Sequence, residues 1–144
     1  MSVDIEVVRV VDDELVEAFN RLLPQLSRSA GPLDEKTLRR LVEWQGNTLL
    51  VARVDGRIVG TLTLVVFPIP TGLRAWIEDV VVDDGARGRG VGAALTNEAV
   101  RIATAEGART VDLTSRPSRQ AANRLYERLG FQVRDSKLYR LAAD

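Results

Sequence analysis

The stretch DDGARGRGVGAAL, Asp83 to Leu95, sets Gly88, Gly90 and Gly92 and two arginines, Arg87 and Arg89, between the apolar run WIEDVVV and a segment of helical spacing. A backbone that wraps an anion needs residues without Cβ, so that several N–H groups converge on its oxygens. A helix starting at the same point adds its free N–H groups and the positive end of its dipole. Arg87 and Arg89 add charge. These residue types point to a phosphate ligand. The alternative, a solvent loop with glycines for turning and arginines for solubility, is weakened by a clear strand before the three glycines and a clear helix after them. Two nucleotide motifs fail on spacing. A P-loop needs Gly-Lys-Ser/Thr, and Gly92 is followed by Ala93 and Ala94. Read from Gly90, a dinucleotide fingerprint would end on Leu95, and the preceding strand closes a meander rather than opening a βαβ unit.

Two absences limit the chemistry. With no Cys there is no disulfide, thiolate nucleophile or thiolate zinc site, and with no His there is no His-based triad. No metal site is therefore expected. Acid–base work falls to Asp, Glu, Lys, Tyr, a terminus or water. Twenty basic and twenty acidic side chains cancel, which argues against a bulk nucleic-acid binder. No basic-then-apolar leader and no apolar run of about 18 residues is present, so the expected location is cytoplasmic, with no membrane partner.

The elements that must position the turn follow from patterning in a chain of 144 residues, 45% hydrophobic and 28% charged. IEVVRVV (5–11) is strand-like. Asp12 or Asp13 can cap a helix with Leu15, Val16, Phe19, Leu22 and Leu23 on one face, and a second helix starts near Asp34, carries Leu38, Leu41 and Val42, and stops at Gly46. TLLVARV (48–54) and RIVGTLTLVVF (57–67) flank Asp55-Gly56, a strong hairpin signal because type I′ turns need positive φ. LRAWIEDVVV (73–82) completes a meander. Helical spacing returns from Val91 to Gly107, a strand covers 109–115, a helix runs from about Ser118 to Gly130 with Ala121, Ala122, Leu125 and Leu129 inward, and FQVRDSKLYRL (131–141) closes the chain as one or two strands. The order β-α-α-β-β-β-α-β-α-β describes one α/β domain with a mixed sheet.

The pattern R-x-x-G-x-G at Arg87, Gly90 and Gly92, after IEDVVV, resembles the acyl-CoA-binding signature of the GNAT superfamily of N-acyltransferases. SRQAANRLYERLGF (118–131) is similar to that family's second conserved segment, a helix carrying Asn and Tyr that ends in Gly-Phe. The resemblance covers nearly the whole chain and is weakest over residues 12–46. It implies a single domain over residues 1–144, with a mixed, mostly antiparallel sheet of six to seven strands, about four helices and a split between the fourth and fifth strands. It also implies acetyl-CoA as co-substrate, its pyrophosphate on the turn formed by Arg87, Gly88, Arg89, Gly90, Val91, Gly92 and Ala93. Val80, Val81 and Val82 would pair with the pantetheine arm, and Asn123 would hydrogen-bond it. Asp84 stands where many members carry Pro, which should change loop stiffness more than chemistry. IEDVVVD also resembles the fourth strand of glucosamine-6-phosphate N-acetyltransferases, but GNAT proteins of many specificities share such a string.

In that family an amine attacks the thioester directly, without a covalent enzyme intermediate. The amine must lose a proton and the departing thiolate must gain one. The resemblance makes Tyr126 the acid; from spacing alone the leading reading is a core tyrosine in a stripe with Ala122, Leu125 and Leu129. Asn123 reads equally as a solvent-facing helix residue. Glu78 is the candidate base. Strict alternation puts it on one face with Trp76, Val80 and Val82, and burial there would raise its pKa toward a useful range. A strand-edge Glu paired with an Arg, or Asp79 on the other face, are the competing readings. The expected acceptor is a small-molecule primary amine, with Arg28, Lys36, Arg39 and Arg40 making the first two helices somewhat basic. A protein N-terminus or lysine, and a non-catalytic acyl-CoA-binding domain, remain as alternatives. DSKLYRL (135–141) is a plausible homodimer contact, since many members of the family pair through sheet edges or C-terminal strands.

Overall fold

A computed structural model describes residues 2–143. The chain divides into two compact units, Met1–Thr114 and Ser115–Asp144. The first holds a five-stranded sheet in the order β1-β2-β3-β4-β5, with β1 Asp4–Val7, β2 Asn47–Val54, β3 Arg57–Ile69, β4 Gly72–Val82 and β5 Thr110–Asp112. The first four strands are antiparallel in sequence, and β5 lies parallel to β4. Three helices belong to this unit: α1 Asp13–Leu26, α2 Glu35–Glu43 and α3 Val91–Ala105. The second unit holds α4 Gln120–Arg128.

Local chemistry explains the boundaries. Asp12 accepts the Leu15 N–H at 2.9 Å and Asp34 accepts the Thr37 N–H at 2.8 Å, so α1 and α2 each begin on an Asp cap. The Asn20 side chain ties α1 to the loop before α2, accepting the Leu33 N–H at 2.8 Å and donating to the Leu33 carbonyl at 2.9 Å. Asp55 and Gly56 both take positive φ, 52° and 79°, as their hairpin requires. α4 ends as expected at Gly130: its N–H donates to the Glu127 carbonyl, that of Phe131 donates to the Tyr126 carbonyl, and Gly130 has φ 101°. This is a Schellman stop, which needs a residue free to enter the left-handed region.

The core lies on both faces of the sheet. On one, Leu15, Ala18, Phe19 and Leu22 of α1 and Leu38 of α2 pack on Leu49, Val51 and Val81. On the other, Val91 and Leu95 of α3 lie against Gly60. Leu50, Leu62, Leu64, Ala75 and Ile77 are all buried.

The sheet has five strands, not six to seven. No strand forms over 131–141, although Phe131, Val133, Tyr139 and Leu141 keep strand-like spacing at its two ends. A strand exists only through a paired neighbour, and isolated ribbons are marginal in water; Arg134, Asp135, Ser136 and Lys137 interrupt the apolar pattern that would favour one. β5 is likewise shorter than 109–115, β1 shorter than 5–11, and Ala121 is exposed rather than inward. Among the described residues no helix is long and apolar enough to cross a membrane.

Gly46 joins α2 to β2 with φ 95°, and a Cβ there would stand 2.6 Å from the Val66 carbonyl oxygen. Gly56 has a similar φ, 79°, but open space around it. Gly46→Ala and Gly56→Ala should each lose roughly 1–2 kcal/mol to the left-handed backbone, and Gly46→Ala a further ~1–3 kcal/mol to overpacking. Denaturant unfolding of the two variants checks this, and equal losses would show that the close approach costs nothing.

Candidate functional site

β4 carries one more residue than β3 across part of their ladder. Thr63 pairs with Glu78, but Thr61 pairs with Val81, so a bulge falls between, with Asp79 at φ 50°. Strict alternation therefore holds from Trp76 to Glu78 and fails just beyond the candidate base. The register puts Trp76, Glu78 and Val81 on one face, the face that packs on α1, instead of Trp76, Glu78, Val80 and Val82. Glu78 and Asp79 are both exposed, so the burial expected of Glu78 is absent. Asp is among the few non-glycine residues that tolerate the left-handed region, but a single Asp in a strand is too weak a signal to locate a bulge from sequence.

Before the bulge β4 has already lost its other neighbour. β5 pairs with β4 only at Arg74, Ala75 and Trp76, whereas β4 continues to Val82. The edge from Ile77 to Val82 has no β5 partner in the sheet.

The glycine turn follows directly. The Asp83 N–H still bonds the Val59 carbonyl at 2.8 Å, then Asp84–Ala86 form one 3-10 turn. Asp83 Oδ1 accepts the Gly85 N–H at 3.3 Å, and Arg87 pairs with Asp84 at 2.9 Å. Gly88 and Gly90 take φ 81° and 78°, and a Cβ on either would meet nothing within 4 Å. Glycine is demanded here by the backbone, and the space beside it stays open. Gly90 begins α3 without a side-chain cap, and no acidic residue occupies the first turn. Val91, Gly92 and Ala93 thus bring first-turn N–H groups to the end of a 15-residue helix, the arrangement that favours an anion. Arg87, Gly88, Arg89, Gly90, Val91, Gly92, Ala93, Glu78 and Val80 to Val82 all lie in the first unit, on β4 and the turn it feeds.

Tyr126 and Asn123 lie on α4 in the second unit. Tyr126 is buried and meets Phe131 edge to face, with ring centroids 5.9 Å apart. The Tyr-x-x-x-Gly-Phe spacing is thereby explained as a helix stop with its accompanying hydrophobic contact. Burial pushes the phenol above its ordinary value of 10.0, against a weaker opposing effect of the Arg119 charge. The Asn123 amide donates to the Arg116 carbonyl at 3.0 Å, bracing the loop that leads into α4. Among the described residues no group of three or more His, Cys, Asp or Glu could hold a metal ion.

Residues 13–131 match the family model described as the acetyltransferase (GNAT) family. The chain belongs to that family. Curated glucosamine 6-phosphate N-acetyltransferase from Trypanosoma brucei brucei is 33% identical over 94% of this chain and 95% of its own length. A crystal structure of a Trypanosoma brucei acetyltransferase superposes with a TM-score of 0.80 and 29% identity, covering 99% of this chain and 100% of the other. Glucosamine-6-phosphate N-acetyltransferase from Arabidopsis thaliana, 18% identical, shares the fold at a TM-score of 0.82 over 98% of this chain and 99% of that one. This GNAT protein is an N-acetyltransferase, and acetyl-CoA is the co-substrate of its family.

The raised Tyr126 phenol makes a checkable prediction. The chain has two tyrosines, so Tyr139→Phe leaves Tyr126 alone to titrate. Its ultraviolet ionisation midpoint should lie above 10.0 in the folded protein. The folded state resists ionisation, so its stability is intact below the unfolded phenol's pKa, about 10, and falls as pH rises from there toward the folded value. A midpoint at or below that of free tyrosine would contradict the burial.

Proposed function

We propose that the protein transfers the acetyl group of acetyl-CoA directly to the primary amine of a small molecule, acting in the cytoplasm as one domain spanning residues 1–144. The observation that carries this reading is the uncapped N-terminus of α3. It is entered through Gly88 and Gly90 and follows directly on the stretch of β4 that β5 does not pair. The pyrophosphate takes the N–H groups of the turn from Gly88 to Ala93, with Arg87 and Arg89 nearby, and the pantetheine arm runs along Val80, Val81 and Val82 as a strand would. Asn123 contributes a further hydrogen bond to the arm.

The amine nitrogen attacks the thioester carbonyl, the C–S bond breaks, and the thiolate takes the Tyr126 phenolic proton. The buried phenol is protonated at neutral pH and so has a proton to give, while the upward shift makes that transfer harder rather than easier. The ammonium proton leaves through Glu78, or through Asp79 or water. Exposure of both carboxylates on the bulge supports a relay in contact with solvent.

A curated relative acting on glucosamine 6-phosphate, matched over nearly the whole of both chains, supports a phosphorylated amino sugar as the first acceptor to test. Thr37, Arg40, Leu41, Trp44 and Asn47 line an open hollow of about 380 Å³, which offers such a molecule a cation and an aromatic face. Free-thiol release from acetyl-CoA should be followed across amino sugars, their phosphates, other small amines and peptides. Turnover confined to peptides would favour a protein acceptor, and failure of every amine a non-catalytic acyl-CoA-binding role. Tyr126→Phe keeps the ring beside Phe131, so the fold should hold while kcat falls about 10²-fold or more. KM for acetyl-CoA should hardly change, and unaltered kcat would remove Tyr126 from the reaction.

The same reading includes a homodimer. Val133, Leu138, Tyr139 and Leu141 are large, apolar and exposed within one short segment, a concentration that favours an interface with a second copy. Light scattering should then give twice the chain mass of 15.9 kDa. Leu138→Asp with Leu141→Asp should give the single mass, and a monomeric parent protein would exclude the contact.

A further inference from the structure

Arg21, on the polar side of α1, reaches the root of the glycine turn. Its Nη1 donates to Asp83 Oδ2 at 2.7 Å and its Nη2 to the Ile58 carbonyl at 2.9 Å, while Nε meets Glu17 at 3.2 Å. The Arg21 and Asp83 side chains are only 21% and 22% exposed, so this pair is better sheltered than a surface ion pair. One turn further along the helix, Gln25 Oε1 accepts the Asp84 N–H at 3.0 Å. Two α1 side chains thus grip two successive residues where β4 gives way to the turn. The helix they stand on is anchored by Leu15, Ala18, Phe19 and Leu22, all buried.

Within the turn the bonds are local, the Arg87–Asp84 ion pair among them. Ala86 and Arg87 bond back to the Asp83 and Asp84 carbonyls, and Gly85 bonds to the Asp83 carboxylate. From there the chain passes through two glycines at positive φ. The direction in which it leaves β4 is therefore set at Asp83 and Asp84, the residues α1 holds. A guanidinium fork suits the task, since it binds a carboxylate and a carbonyl at once in fixed geometry, which a lysine ammonium on a flexible stem does less well.

We infer that Arg21 is a positioning residue for the cofactor turn: by fixing Asp83 it holds the turn's N–H groups where a pyrophosphate can meet them. This rests on the reading of the turn as the pyrophosphate site. A merely structural ion pair and a positioning pair differ in which donor substrate they affect. Acetyl-CoA carries the pyrophosphate, and S-acetylpantetheine keeps the thioester and arm without it.

Arg21→Met should raise the calorimetric Kd for coenzyme A and lower kcat/KM for acetyl-CoA, each about tenfold, as for a lost charge-assisted hydrogen bond. It should leave kcat/KM for S-acetylpantetheine within about twofold, which experimental scatter in independent sites allows. Arg21→Lys should recover part of the loss. Should Arg21→Met fail to fold, Asp83→Asn removes the charge pair while keeping an acceptor for Gly85, and should show the same selectivity with a smaller change. Equal losses with both donors, or no loss with acetyl-CoA, would overturn the role of Arg21. Gly90→Val tests the underlying reading separately: it should weaken coenzyme A binding, and normal binding by that variant would remove the pyrophosphate site from the turn and the inference with it.

Discussion

From Thr61 to Thr63 β3 takes two steps where β4, from Glu78 to Val81, takes three, and Asp79 absorbs the difference at φ 50°. An extra residue cannot be accommodated in a ladder without turning the strand, and a bulge increases local twist and bend. Its consequence falls on the sheet: side-chain order shifts by one, so that Val81 packs among Leu15, Phe19 and Leu22. On the β5 side, pairing ends earlier, at Trp76, because β5 itself spans only Thr110–Asp112. The bulge therefore falls on the stretch of β4 that β3 alone pairs.

In the proposed reading, the β4 edge needs a stop for the bound molecule. The stop comes from the way α3 begins. α1 and α2 satisfy a first-turn N–H with the side chains of Asp12 and Asp34, and each adds acidic charge in its first turn. α3 has neither a side-chain cap nor an acidic residue in its first turn, and a Cβ on Gly90 would meet open space. Val91, buried against Gly60, locks that helix end to β3. The open edge and the uncapped helix end are thus held by the same central strands.

What the sequence displayed and what it hid divide along physical lines. The Asp55-Gly56 hairpin, the Asp caps and the Gly130 stop were legible because each depends on a few adjacent residues whose backbone freedom or side-chain reach is particular to their type. The helices and the central meander were legible through their apolar periods. The bulge was not, because Asp79 in the left-handed region leaves no trace in composition, and the strict alternation read across it misplaced Val80 and Val82. A closing strand over 131–141 was expected from spacing, yet spacing supplies only half of a strand and the partner edge must come from elsewhere. Arg21 and Gln25 looked like the polar side of an amphipathic helix, since their partners Asp83 and Asp84 are distant in sequence.

The same division explains why the donor substrate is legible in this family member and the acceptor is not. A site made from backbone N–H groups, as proposed for the turn, constrains residue types severely: Gly88 and Gly90 hold φ values that other residues adopt at a cost, so such a site is written into a chain as glycine at fixed spacing. A site made from side chains carries no such restriction. Arg40, Trp44 and Asn47 come together around their hollow only through the path of α2 and the start of β2, and each could serve equally as ordinary surface. Side-chain recognition can therefore change substrate by substitution without disturbing the fold, whereas the backbone turn cannot change without losing its shape. Specificity for the amine is free to vary around a donor site that is not, and so the acceptor has to be found by assay.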